Sequence, residues 1–208
     1  MDVVDVLHGT KVVPVAVIDD AASAEALGQA LVAGGIDIIE VTLRTEAGLK
    51  ALGALSSTAA MRVGAGTVLS PAQVDAAIDA GATFLVSPGL SVPVVERAME
   101  RGIPIIPGVA TPSDLMTAYN LGLSVVKFFP AGVLGGPPAI RALAAPFPDM
   151  RFVPTGGIGP SNAADYLALP SVLAIGGSWM VERALIAAGR WDEITTRSAE
   201  AVRLVAEA

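Results

Sequence analysis

Cysteine is absent from the 208 residues, and His8 is the single histidine. The first absence excludes disulfides, cysteine-held iron–sulfur clusters and thiol nucleophiles, while it identifies no compartment. The second leaves no material for the His-rich sites that commonly hold transition metals. Positive charge is scarce too: 13 Lys and Arg stand against 20 Asp and Glu, for a net charge of −7. That balance argues against nucleic acid or an anionic membrane surface as the main partner. An anionic small molecule stays open, because a local cluster of backbone amides can overrule the global field. The start of the chain, Met1-Asp2-Val3-Val4-Asp5, lacks the basic segment and apolar core of a signal peptide. No uncharged run is longer than 166–181, which is broken by Pro170, Gly176 and Gly177. It falls short of the ~20 apolar residues a membrane helix needs. A soluble, cytoplasmic protein is expected.

What is present is core material. Hydrophobic residues make up 53% of the chain and charged ones 16%, and the bias to Ala, Val, Leu and Gly suits parallel strands buried on both faces. Apolar, β-branched runs alternate with Ala-rich segments of helical period, and the alternation repeats eight times. The strands expected are 12–18, 36–43, 62–68, 84–87, 103–109, 124–129, 151–155 and 172–176. Helical patterns follow them, as at 24–33, 71–80, 92–101 and 192–206. Ser70, Thr111 and Ser161 are positioned to cap helix starts, and Gly34, Gly81, Gly102 and Gly122 to end helices. No G-x-G-x-x-G follows the first strand, which weakens a dinucleotide-binding reading. The expectation is one α/β domain over 1–208, a single (β/α)8 barrel with a short N-terminal helix, near the lower size limit of that fold.

In such barrels the C-terminal ends of strands carry the chemistry, and three places break the apolar pattern. In Val125-Val126-Lys127-Phe128-Phe129-Pro130, a lysine lies inside a strand, in phase with Val125 and Phe129. Only two other lysines exist, Lys11 before the first strand and Lys50 on a helix. Desolvation disfavours the ammonium form and exposes a nucleophilic amine; a snorkelling side chain or an ion pair is the plainer alternative. In the second place, Glu40, Thr42 and Arg44 share one face of a strand. Glu40 would move protons and Arg44 would hold a carboxylate through its planar fork, unless the charges only balance one another. The third comprises two glycine-rich turns, Thr155-Gly156-Gly157-Ile158-Gly159 and Gly176-Gly177-Ser178. A lone Gly-Gly pair usually means a tight turn, but two of them after the last two strands suit a phosphate site.

These residues resemble a known family. Glu40-Val41-Thr42-Leu43-Arg44-Thr45, Val63-Gly64-Ala65-Gly66-Thr67-Val68, Ser87-Pro88-Gly89, Lys127-Phe128-Phe129-Pro130-Ala131, Pro154-Thr155-Gly156-Gly157-Ile158 and Ile175-Gly176-Gly177-Ser178-Trp179 are similar to the matching runs of 2-keto-3-deoxy-6-phosphogluconate (KDPG) and 4-hydroxy-2-oxoglutarate aldolases. The similarity runs in order over essentially the whole chain. It implies a class I aldolase of carbohydrate breakdown by the Entner–Doudoroff route, releasing pyruvate and glyceraldehyde 3-phosphate. Lys127 would form the Schiff base and Glu40 would act as general acid and base, partly through a water. Arg44, Thr67 and Thr155 would position the pyruvoyl carboxylate and nearby oxygens. Pro88 and Phe129 would wall the pyruvyl methyl, and Gly156, Gly157, Gly177 and Ser178 would receive the phosphate. No metal or cofactor is expected, the partner is a small phosphorylated 2-keto acid, and the family is typically homotrimeric. An aldolase for the galactonate epimer, a phosphosugar isomerase and a non-catalytic phosphosugar-binding barrel are the competing readings.

Overall fold

The computed structural model describes residues 3–7, 9, 11–57 and 61–207, so His8 and the first two residues lie outside it. A four-residue helix, α1 (Val3–Val6), precedes β1 (Val12–Ala16), and α2 (Ala24–Ala33) leads to β2 (Ile38–Thr42). Then follow α3 (Gly48–Ser56), β3 (Arg62–Gly66), α4 (Pro71–Asp79), β4 (Phe84–Val86) and α5 (Val92–Glu100). Two very short strands, β5 (Ile105–Ile106) and β6 (Gly108–Val109), come next, with α6 (Pro112–Asn120) and β7 (Val125–Phe128). The last third holds α7 (Gly136–Ala144), β8 (Arg151–Pro154), α8 (Ala163–Leu167), β9 (Ile175–Gly177), α9 (Arg183–Ala187) and α10 (Trp191–Ala206).

All strand ladders among the described residues are parallel, as the alternation of strands and helices requires. β2 is buried at every position, as a strand covered on both faces must be. Capping explains several helix starts. Ser70 accepts from Gln73 N, and Thr111 forms a reciprocal box with Asp114. Ser161 does not cap. The residue at the start of α8 is Asn162, whose side chain instead accepts from Gly159 N at 2.9 Å and donates to Gly157 O at 3.0 Å.

The sheet differs from the eight continuous strands expected. Among the described residues, hydrogen bonding gives a six-stranded sheet, β5-β4-β3-β2-β1-β9, and a three-stranded one, β6-β7-β8. Prolines stand at both places where the two sheets adjoin. Pro107 separates β5 from β6; its carbonyl accepts from Lys127 N at 2.8 Å, but it has no N–H to return to β7. Phe152 exchanges bonds with Ser171 and Leu173, at 2.8 and 3.0 Å. Pro154, two residues further on the same side, has no N–H to extend that ladder. Only the isolated bridges Phe152–Val172 and Thr155–Gly176 therefore join β8 to the β9 segment.

Glycines expected to end helices do so at Gly81, Gly102 and Gly122, all at positive φ. At the end of α2 the left-handed residue is Gly35, with φ of 86°, and not Gly34. Gly34 serves the packing of α10 across α2: a Cβ there would lie 2.4 Å from Ser198 Cβ and 2.8 Å from Thr195 O. Gly34→Ala is expected to destabilise the protein by about 1–3 kcal/mol, as overpacking of a closed contact does, and urea denaturation measures it. An unchanged midpoint would remove close packing as the reason for glycine here.

Candidate functional site

Lys127 and Glu40 come from different sheets and meet in the interior. Lys127, on β7, retains 5% of its accessible surface, and Glu40, on β2, retains 4%. The Nζ atom lies 3.2 Å from Oε1 and 3.5 Å from Oε2 of Glu40. It also sits 5.2 Å from the centre of the Phe129 ring, at the outer reach of a cation–π contact. Lys11 and Lys50 are both exposed, so Lys127 is the lysine the apolar interior surrounds. The ion pair that stood as the plainer alternative to a catalytic lysine is thus present as a direct contact.

The pair fits because neighbouring strands lack side chains there. A Cβ on Gly66 of β3 would fall 2.2 Å from Glu40 Oε1, and one on Gly176 of β9 would fall 2.3 Å from Thr155 Oγ1. Gly66 had no site role in the sequence reading and Gly176 stood out only as part of a phosphate turn, although a glycine inside a strand is the usual mark of a close approach. A narrow cavity beside the pair is lined by Glu40, Lys127, Phe84, Thr155 and Gly176. A larger one, about 310 Å³, shares Thr155 and Gly176 with it and adds Arg44, Phe129, Gly156, Gly157, Gly177 and Ser178.

Arg44 keeps the phase of Glu40 and Thr42 but lies beyond the strand, which ends at Thr42. It is exposed on the cavity wall, its Nε 3.5 Å from Thr42 Oγ1. Thr42 in turn donates to Ala16 O at 3.1 Å, joining β2 to β1 beneath the arginine. The glycine turn after β8 has Gly156 and Gly157 at φ of 96° and 75°, a conformation that side chains disfavour. Asn162 braces it from below through Gly157 O. The N–H groups of Gly157 and Ser178 have no protein acceptor among the described residues, and free amides of this kind suit an anion.

Thr67 and Pro88 stand at the ends of β3 and β4, outside the linings of both cavities. Thr67 has φ of 61°, the one positive value outside glycine among the described residues. A β-branched residue held there costs about 1–3 kcal/mol, and such strain gathers at functional sites. Among the described residues no three His, Asp or Glu side chains converge as metal ligands. No helix among them is long and apolar enough to cross a membrane.

Comparison with known proteins adds an independent line. The family model described as KDPG and KHG aldolase matches residues 3–197. A KHG/KDPG aldolase of Escherichia coli K12 is 50% identical over 192 residues, 92% of this chain and 90% of that one. A 2-dehydro-3-deoxy-phosphogluconate aldolase of Pseudomonas aeruginosa is 44% identical over 198 residues, covering 95% and 90% of the two chains. A KDPG aldolase from Legionella pneumophila, solved with pyruvate captured as a covalent carbinolamine, superposes with a TM-score of 0.91 at 42% identity. That match covers 94% of this chain and 95% of the other. The chain belongs to the KDPG and KHG aldolase family.

Proposed function

We propose that this protein is a class I aldolase that cleaves 2-dehydro-3-deoxy-6-phosphogluconate to pyruvate and glyceraldehyde 3-phosphate, and that it also accepts 4-hydroxy-2-oxoglutarate. The observation that carries the reading is the buried contact of 3.2 Å between Lys127 Nζ and Glu40. At that distance the carboxylate can take the ammonium proton without backbone movement, leaving a neutral amine to attack the C2 carbonyl. The resulting carbinolamine loses water, with Glu40 returning its proton to the departing oxygen, to give a protonated imine and a carboxylate again. Glu40, directly or through a water, then takes the C4 hydroxyl proton, and the C3–C4 electron pair moves into the imine to form an enamine. The aldehyde departs, the enamine gains a proton at C3, and hydrolysis releases pyruvate and regenerates the lysine.

The other roles follow from chemistry and position. Arg44 offers a planar fork to the substrate carboxylate, with Thr67 and Thr155 on its neighbouring oxygens. Phe129 and Pro88 give the methyl end an apolar wall. Gly156, Gly157, Gly177 and Ser178 receive the phosphate, whose remote binding orients the reacting carbons. No cofactor or metal is required, because the protonated imine supplies the positive charge that a Lewis acid would otherwise provide.

The architecture that best accommodates this chemistry is a single domain in which the two sheets form one (β/α)8 barrel. Its fifth strand would be 105–109, interrupted at Pro107, and its eighth would be β9, bridged to β8 beside Pro154. A homotrimer in the cytoplasm is the proposed setting. A phosphorylated metabolite is the kind of substrate found there, and exposed Met116 and Tyr119 beside Phe147 and Met150 form a surface groove of about 470 Å³ suited to a further copy of the chain.

Two experiments test the reading. Borohydride added with pyruvate is expected to inactivate the enzyme and to add one reduced pyruvyl group to the peptide containing Lys127. Labelling of Lys11 or Lys50 instead would refute the nucleophile. Glu40→Gln keeps a hydrogen-bonding partner for Lys127 and is expected to fold, while turnover falls at least ~10²-fold, a typical loss for a general acid/base. Turnover near that of the unmodified enzyme would reduce Glu40 to a counter-charge.

A further inference from the structure

We infer that Arg183 is a positioning residue for the phosphate end of the substrate, and that Asp19 holds its guanidinium at the cavity mouth for that purpose. The inference rests on the proposed phosphate site at the two glycine turns. Arg183 begins α9, five residues beyond Ser178, and lines the same cavity as Gly157 and Ser178. Its guanidinium meets the Asp19 carboxylate through two bonds of 2.6 Å, from Nε to Oδ2 and from Nη2 to Oδ1. That face of the fork is therefore engaged. Nη1 remains without a partner among the described residues, and its donors are free for a second acceptor.

The surroundings favour an anion as that acceptor. The charged side chains lining this cavity are Arg44, Glu182 and Arg183. Glu182 is turned to Arg197, whose Nη1 lies 2.7 Å away, so its charge is already matched. Arg183 retains 63% of its side-chain surface and Asp19 retains 43%. A surface pair of that exposure contributes little to stability, so fold stability is a weak reason for holding Arg183 there. Hydrogen bonding to Arg183 keeps the Asp19 carboxyl below the usual carboxylate range, so the anchor stays charged at neutral pH. A phosphomonoester dianion seated on the free amides of Gly157 and Ser178 would complete the other side of the fork.

The test compares KM and kcat for 2-dehydro-3-deoxy-6-phosphogluconate and for unphosphorylated 4-hydroxy-2-oxoglutarate in five proteins: the unmodified enzyme, Arg183→Ala, Arg183→Lys, Ser178→Asp and Arg190→Ala. Arg190 is equally exposed and ion-paired, with Glu193, but lies outside the cavity, so it controls for loss of one positive charge. Arg183→Ala is expected to raise KM for the phosphorylated substrate about fivefold or more. Its kcat, and its KM for the unphosphorylated substrate, should change less than about twofold. Arg183→Lys should restore part of the loss, keeping the charge without the fork. A KM for the phosphorylated substrate within about twofold in Arg183→Ala, alongside a selective rise in Ser178→Asp, overturns the role of Arg183 and leaves the glycine-turn site standing. An equal rise for both substrates in Arg183→Ala, or a matching rise in Arg190→Ala, overturns it as well. If Ser178→Asp itself shows no selectivity for the phosphorylated substrate, the glycine-turn site fails and this inference fails with it.

Discussion

A lysine and a carboxylate buried against each other in an apolar interior constrain everything around them. Desolvating both groups costs several kcal/mol, and only close, well-aligned contact offsets it. Losing either partner would strand the other, typically at a cost of about 3–5 kcal/mol. Because Glu40 belongs to the six-stranded sheet and Lys127 to the three-stranded one, their contact also fixes how those sheets face one another. The strands nearest it give way accordingly. Gly66 leaves room for the Glu40 carboxylate, and Gly176 leaves room for Thr155 beside the lysine chamber.

From that centre the site grades outward from rigid to adaptable. Glu40, Thr42 and Lys127 stand on buried strands, where bond making needs small tolerances. Arg44 and the Gly156-Gly157 turn lie beyond strand ends, Gly177 closes β9 and Arg183 opens α9, at the cavity mouth where a larger ligand end can enter and leave. The strained Thr67 marks the boundary between the two zones on β3. This division suits a reaction in which one end of the substrate becomes covalently attached while the other departs as a separate aldehyde.

Much of this was legible from local pattern. Lys127 stood out because a cation inside an aromatic strand is costly unless it is used or paired, and the spacing of Glu40 and Arg44 put both on the cavity side. The Gly156-Gly157 turn could be located because a glycine pair after a strand marks a change of direction, whereas Gly176 and Gly177, expected as a second turn, end strand β9. What escaped was tertiary. A run such as 103–109 reads as one strand by hydrophobicity, yet Pro107 withholds a donor that only the observed neighbour, β7, makes relevant. Gly34 ends α2 as its position suggested, but the close packing that excludes a side chain there depends on α10, which arrives more than 150 residues later. Asp19 and Arg183, ordinary surface charges in sequence, acquire meaning only when β1 and β9 are seen to be neighbours.

The account turns on an imine at Lys127 that passes to an enamine, and proton exchange at pyruvate reports that step without requiring the cleavable substrate. Incubated with pyruvate in deuterated buffer, the unmodified enzyme should deuterate the methyl group, read by proton NMR. Lys127→Arg, which keeps a cation beside Glu40 but forms no imine, should abolish the exchange while circular dichroism shows a folded protein. Exchange at an undiminished rate in the folded Lys127→Arg protein would contradict the account.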